Sequence, residues 1–170
     1  GGGEVSGPLA GVRVLDLSGV VMGPYATQIL GDMGADVVKV ESPEGDTTRQ
    51  AGHAKHPGMG AVFLTIARNK RSIVLDLKQP AARDALFALA RRADVLLHNM
   101  RPDATRRLGL DYAALKAINP AIVYCAARGF ASEGPYGAKP AYDDMIQGAS
   151  GTASVMASIT GEPAYVPMIY

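Results

Sequence analysis

Apolar runs of strand length recur along the chain, separated by segments of helical length or by turn chemistry. Residues 12–17 place Val12, Val14, Leu15 and Leu17 on both parities, the pattern of a strand buried on both faces. Residues 23–34 have helical length, with Pro24 near the first turn and Gly34 suited to the C-terminal end. Residues 36–41 form the next strand. Strand, helix and strand within about thirty residues make a βαβ unit, which demands parallel pairing and a right-handed crossover. Residues 42–60 turn polar, with turn-rich ends, and read as a long functional or mobile loop. A short helix at 61–67 and a third strand at 71–77 follow. Pro80 opens the clearest helix, with a stripe of Ala82, Ala85, Leu86, Leu89 and Ala93. Residues 94–97 are the fourth strand, followed by a polar loop from Asn99. Asp111 caps a helix that runs to Ile118 and is stopped by Asn119 and Pro120. Residues 121–126 are the fifth strand. A loop rich in Gly and Pro then leads to a helix at 142–149. The fold class is α/β: a Rossmann-like, doubly wound, mostly parallel sheet with helices on both faces.

Residues 1–6 read as a linker or expression remnant, leaving 7–170 as one domain. The final stretch, 164–170, is an apolar extended run, so the domain is expected to be truncated there. Composition narrows the class. With 17 basic and 16 acidic residues and a net charge of +1, no electrostatic feature points to nucleic acid or to an anionic membrane. The single cysteine, Cys125, cannot form an internal disulfide and is expected to be a small core residue. No apolar run approaches the ~20 residues of a membrane span, and no basic-then-apolar leader opens the chain. The expectation is a soluble, cytoplasmic protein.

In an open α/β sheet, ligands bind beyond the C-terminal ends of the strands. Residues 18–23, 41–45, 76–79, 98–101 and 127–129 therefore form the candidate wall. Dinucleotide binding is disfavoured. Gly19 and Gly23 lack the required three-glycine spacing, Val21 and Met22 put side chains where pyrophosphate would approach, and the glycines suit a tight strand-to-helix turn. Ser150 misses the nucleophile-elbow pattern by one position. His53, His56 and His98 are scattered, and the first two read as solvated loop residues. Asn69, Lys70 and Arg71 read as a solvated corner, with the alternative that their donors hold a phosphate. Asp143 and Asp144 read as capping carboxylates rather than catalytic acids.

Several segments taken in order resemble one family. They are 8–18; Gly23, Pro24, Tyr25 and Ala26; 30–41; 69–78; Ala93, Asp94 and Val95; Asn99 with Arg107, Leu108 and Gly109; and Tyr142 and Asp143 followed by Gln147. The family is the class III CoA-transferases, which includes formyl-CoA and carnitine-CoA transferases and α-methylacyl-CoA racemase. The chain resembles the N-terminal portion of its members. The resemblance implies a Rossmann-like large domain, an interlocked homodimer in the full-length protein, and CoA or acyl-CoA as substrate with a carboxylic acid as partner. No permanently bound cofactor, nucleic acid or membrane is implied. The family's CoA pocket carries over to Val21, Met22, Leu75, Asp76, Leu77, Lys78, Asn99, Met100, Arg107, Ala141, Tyr142 and Asp143. Some relatives place an arginine after the second strand where this chain has Ser42. The family's nucleophilic aspartate follows a lead-in matched by Gly161, Glu162, Pro163 and residues 165–170, so it is expected just beyond Tyr170, with no catalytic residue inside the chain. The racemase histidine would fall at Tyr142, which cannot act as an imidazole base. A transferase is therefore expected over a racemase, with a CoA-binding or structural fragment without turnover as the further alternative.

Overall fold

The computed structural model describes residues 6–167. Most of the linker assigned to 1–6, and the end of the apolar run at 168–170, lie outside the described residues. Two compact units divide after Ala127.

The first unit holds a parallel sheet of β1 (Arg13–Asp16), β2 (Asp36–Glu41), β3 (Lys70–Val74), β4 (Val95–His98) and β5 (Val123–Ala126). Its strand order is β3-β2-β1-β4-β5, so the chain reverses direction of travel between β1 and β4. The helices are α1 (Met22–Asp32), α2 (Ala61–Ile66), α3 (Pro80–Ala90), α4 (Pro102–Leu108) and α5 (Tyr112–Ile118). Register explains why the sheet buries both faces. Val14 lies opposite Val37 and Val95, and these pack with Ala35 and Leu30 on the α1 side. Leu15, one residue on, lies opposite Val38 and Leu96, and these pack with Leu86, Ala90 and Leu115 from α3 and α5. The period of two thus sends alternate residues of each central strand to opposite cores.

The expected α/β architecture holds, with local corrections. β3 starts at Lys70 and stops at Val74, leaving residues 75–78 as a loop. In α3 the buried line is Leu86 and Ala90, while Ala85 is exposed. Leu86 and Ala90 stand one turn apart and define the contact line, and Ala85 is rotated off it. The loop read from Asn99 contains α4, with Pro102 in its first turn and left-handed Gly109 as its C-cap. Asp111 does cap α5, accepting the Ala114 N–H at 3.1 Å. Cys125 is exposed rather than a core residue, because β5 is an edge strand whose outward positions are uncovered.

The second unit contains α6 (Asp143–Ala149) and α7 (Thr152–Thr160). The sequence reading did not anticipate α7. Gln147 is buried and organises this unit. Its carbonyl oxygen accepts the Val166 N–H at 2.7 Å, and its amide donates to the Val166 carbonyl at 3.1 Å and to Asp143 at 3.0 Å. Asp143 and Asp144 lie in the first turn of α6, but the N-cap itself is Tyr142, whose side chain caps nothing.

The long connection after β2 is closed by one close approach. A Cβ on Gly60 would stand 2.5 Å from the Thr48 carbonyl oxygen, 2.6 Å from that of Ala51 and 2.8 Å from that of Arg49. Only glycine allows the 2.8 Å bond from the Gly60 N–H to the Arg49 carbonyl without moving that turn. Gly60→Ala should therefore destabilise the protein by about 1–3 kcal/mol. Gly148→Ala, in α6 where a Cβ meets nothing within 4 Å, should be neutral or stabilising by up to about 1 kcal/mol. Chemical denaturation of the two variants checks the opposite signs.

Candidate functional site

Charged side chains lie buried at the C-terminal half of the α1 face. Asp16 of β1 accepts from Lys70 Nζ at 3.0 Å, from Thr27 Oγ1 at 2.5 Å and from the Ser18 hydroxyl and amide. Lys70 also donates to the Pro24 carbonyl at 2.6 Å. Burial pushes the Lys70 pKa down, with Asp16 opposing. The reading of Asn69, Lys70 and Arg71 as a solvated corner holds for the exposed Asn69 and Arg71 and fails for Lys70. Lys70 is internal, Asn69 donates to Asp32 at 2.6 Å, and Arg71 pairs with Asp36 at 2.6 Å.

A second buried pair joins β2 to the loops. Lys39 donates to the Ser18 carbonyl at 2.7 Å and pairs with Asp46 at 2.9 Å. Asp46 also accepts from Thr48 N at 2.9 Å, Thr48 Oγ1 at 2.7 Å and Val20 N at 3.4 Å. Burial alone would raise the Asp46 pKa, but the Lys39 ammonium and the Thr48 donors outweigh it and hold it below the usual range. Glu41, where a ribose-binding acid would sit in a dinucleotide site, is occupied by Arg49 through two 2.7 Å bonds and by Ser72 at 2.7 Å. Arg49 in turn lies over the Phe63 ring, 3.8 Å from its centroid.

The turn after β1 is held from the other side by Asn99. Its Oδ1 accepts the Gly19 N–H at 3.1 Å, and its Nδ2 donates to the Gly19 carbonyl at 2.9 Å. Val20 within this turn has φ = 69°. A β-branched residue in the left-handed region costs on the order of 1–3 kcal/mol. Val21 and Met22 follow at the start of α1, half-buried and exposed respectively.

Beside this turn opens a cavity of about 470 Å³, within the usual range of ligand sites. Leu17, Val40, Leu75, Leu77, Met100 and Leu108 supply its apolar lining, with Lys78 and Arg107 as cations and Glu41, Glu44 and Asp76 as acids. Residues 75–78 are rigidly placed. Asp76 accepts the Lys78 N–H at 3.1 Å, and Arg83 donates to the carbonyls of Leu77 and Lys78 at 3.0 and 3.1 Å. Among the described residues neither Lys78 nor Arg107 forms an ion pair. Met100 is positioned by the buried His98, whose Nδ1 accepts the Met100 N–H at 3.1 Å. That bond leaves the ring proton on Nε2, 2.7 Å from the Tyr124 hydroxyl, which donates on to the Leu110 carbonyl at 2.8 Å.

Of the sequence-derived site residues, the structure brings Leu75, Asp76, Leu77, Lys78, Met100 and Arg107 into one cavity. Val21 and Met22 belong to the adjoining turn and the start of α1, and Asn99, in the loop after β4, holds that turn through Gly19. Ala141, Tyr142 and Asp143 lie in the second unit, with Tyr142 exposed. Sequence reasoning missed Lys39, Asp46 and Arg49. The signal available for Lys39 was a lone cation at an inward position of a buried strand.

Fold and site together define a Rossmann-ordered parallel α/β protein with its cavity at the C-terminal edge of the sheet, the usual ligand edge for this architecture. The chain belongs to CoA-transferase family III, whose family model matches residues 9–170. It is 45% identical over 168 residues to a succinate–glutarate CoA-transferase of Agrobacterium fabrum, covering 95% of this chain and 41% of that protein. It is 43% identical over 157 residues to a formyl-CoA:oxalate CoA-transferase of Streptomyces coelicolor, covering 91% of this chain and 38% of the relative. A crystal structure of a CAIB/BAIF family protein from Brucella suis superposes with a TM-score of 0.88 at 39% identity, over 95% of this chain and 44% of that one. The chain thus spans well under half the length of these relatives. No helix among the described residues is long and apolar enough to cross a membrane.

Arg49, the hydroxyl of Ser72 and the Asp46 N–H together hold the Glu41 pKa down from the ordinary 4.5 to about 2, against the opposing effect of burial. A carboxyl depressed in the fold stabilises it above its unfolded pKa and loses that contribution as pH falls through the folded one. Glu41 should therefore contribute on the order of 3 kcal/mol above pH 4.5, lost progressively towards pH 2. Urea unfolding from pH 6 to pH 2 should show a flatter acid limb for Glu41→Gln than for the unmodified chain.

Proposed function

We propose that this chain supplies the CoA-binding part of an enzyme that moves CoA from an acyl-CoA donor to a carboxylic acid acceptor. The observation that carries this reading is the cavity, whose apolar lining meets two cations, Lys78 and Arg107, that form no ion pair among the described residues. An apolar wall suits pantetheine and adenine, and the cations suit phosphate oxygens. Val21, Met22, Leu75, Asp76, Leu77, Met100 and the Asn99 loop complete the wall in the first unit. Ala141, Tyr142 and Asp143 are assigned to the same ligand by family resemblance. Ser42 lines the cavity where some relatives have an arginine, so phosphate contacts rest on Lys78 and Arg107. The relatives named for succinate, glutarate and oxalate support a small carboxylic acid as acceptor.

The chemistry follows the family's covalent route. An aspartate carboxylate attacks the thioester carbonyl carbon, the C–S bond breaks, and CoA thiolate leaves a mixed anhydride. The thiolate then attacks the aspartyl carbonyl, releasing the donor acid and forming an aspartyl-CoA thioester. The acceptor carboxylate attacks that thioester to give a second anhydride and free thiolate, which takes the acceptor acyl group and restores the aspartate. The family resemblance of the lead-in at Gly161, Glu162 and Pro163 supports an attacking aspartate after Tyr170. Tyr142 at the racemase histidine position favours transfer over racemisation. The full-length protein is proposed to be a cytoplasmic homodimer. The exposed apolar stripe Met22, Tyr25, Ile29 and Met33 along and just beyond α1 supports burial of that face against another protein surface.

Two experiments test this reading. Arg107→Ala should weaken CoA binding about tenfold, as loss of a charged hydrogen bond does, and leave a pantetheine analogue without phosphates unaffected. Equal losses in calorimetry with both ligands would remove Arg107 from phosphate recognition. The 170-residue chain, incubated with acyl-CoA and hydroxylamine, should yield no acyl hydroxamate and no covalent adduct by mass spectrometry. An adduct on Asp143 or Asp144, abolished by Asp→Asn at that position, would place the nucleophile within the chain.

A further inference from the structure

We propose that Asn99, together with the Lys39–Asp46 pair, is a positioning residue that fixes the left-handed conformation of Val20 and so presets the turn carrying Val21 and Met22. The inference rests on the reading of that turn as part of the CoA site.

The φ angle of Val20 is the torsion about its N–Cα bond, and the nitrogen belongs to the plane of the Gly19–Val20 peptide. Two atoms of that plane are gripped by different elements. The Gly19 carbonyl oxygen takes the Asn99 amide at 2.9 Å, from the loop after β4. The Val20 N–H points to Asp46 Oδ1 at 3.4 Å, from the loop after β2. On the far side of Val20, the Val21 carbonyl already accepts the Tyr25 N–H at 2.8 Å, so the next residue is anchored to α1. Val20, at φ = 69°, therefore lies between a peptide plane held on one side and a residue anchored to the helix on the other. The grip is itself stiff. Asn99 makes a second bond to the Gly19 N–H at 3.1 Å. Asp46 is pinned by Lys39 at 2.9 Å and Thr48 N at 2.9 Å, and Lys39 holds the Ser18 carbonyl at 2.7 Å. Both polar ends of the Asn99 carboxamide face Gly19, so its side chain acts on a ligand through the backbone it holds rather than by contact.

A double-mutant cycle separates this role from a merely structural one. CoA affinity is measured by calorimetry for the unmodified chain, Asn99→Ala, Val20→Gly and the double variant. Glycine enters the left-handed region without strain. Asn99→Ala should therefore weaken CoA about tenfold (about 1.4 kcal/mol) when Val20 is present, but only about twofold in the Val20→Gly background. Equal losses in both backgrounds would overturn the proposal. A second arm needs no ligand: amide hydrogen exchange in the Asn99→Ala chain. Loss of the two Asn99 bonds alone would deprotect only the Gly19 amide. The clamp predicts that Val20, whose acceptor Asp46 is intact, also exchanges several-fold faster, and unchanged Val20 exchange would overturn it. If the unmodified chain binds no CoA, the reading of the site falls, while the exchange arm still decides the clamp.

Discussion

Asp16 and Lys39 lie opposite one another across β1 and β2, yet each forms its ion pair with a residue from elsewhere, Asp16 with Lys70 and Lys39 with Asp46. Those four side chains are almost wholly buried, where an unpaired charge would cost several kcal/mol and breaking a pair costs about 3–5 kcal/mol. The α1 side of the sheet is therefore stable only when its loops have closed over it. Lys70 needs the Pro24 carbonyl at the start of α1, Lys39 needs the Ser18 carbonyl, and Asp46 needs the turn of Thr48. Charge satisfaction, rather than apolar contact, dictates the path of the chain after β1 and after β2.

The opposite face obeys a different rule. Leu15, Leu17, Val40 and Leu96 join Leu86, Leu110 and Leu115 in one apolar cluster, and Leu75, Leu77, Met100 and Leu108 pack at its margin. Those marginal residues, with Leu17 and Val40, line the cavity. The cavity is thus the edge of the main core left open where the strands end, and its apolar character follows from the core. The polar layer shapes the turn next to it. Division of labour between the two faces explains how one sheet edge can be both rigid and accommodating.

Much of this was legible from residue patterns. The parity of Val14 and Leu15, the turn chemistry of Pro80 and the Asp111 cap were enough to place the central strands and several helices. The resemblance gathered residues 75–78, Met100 and Arg107 before any coordinates brought them together. Long-range polar pairing was not legible. Nothing local to Lys70 reveals that Asp16, fifty-four positions away, receives its ammonium, so a solvated corner was the natural reading of a basic triplet. Helix α4 escaped although Pro102, Asp103 and Gly109 all mark it, because its seven residues are too short for an apolar period to declare itself. Cys125 misled because an apolar strand looks the same at the edge of a sheet as at its centre.

The placement of the two cations completes the physical account. Arg107 stands in the last turn of α4, where the helix dipole favours a cation, and Lys78 stands on a loop fixed by Asp76 and Arg83. In each case local chemistry fixes the backbone, and the exposed side chain forms no ion pair among the described residues. Glu41, Glu44 and Asp76 line the same cavity, and Asp76 accepts from the Lys78 backbone and Gln79 side-chain nitrogens. Glu41 is neutralised by Arg49, and Glu44 is held below its ordinary pKa chiefly by its bond to Ser42, with the Lys78 charge adding a smaller effect. Cations without ion pairs beside an apolar wall suit a ligand that carries negative charge alongside apolar surface. Phosphates and pantetheine meet both demands in one molecule, whereas a free carboxylic acid meets only the first. That match is the physical ground for proposing the cavity of the first unit as the site of the CoA moiety.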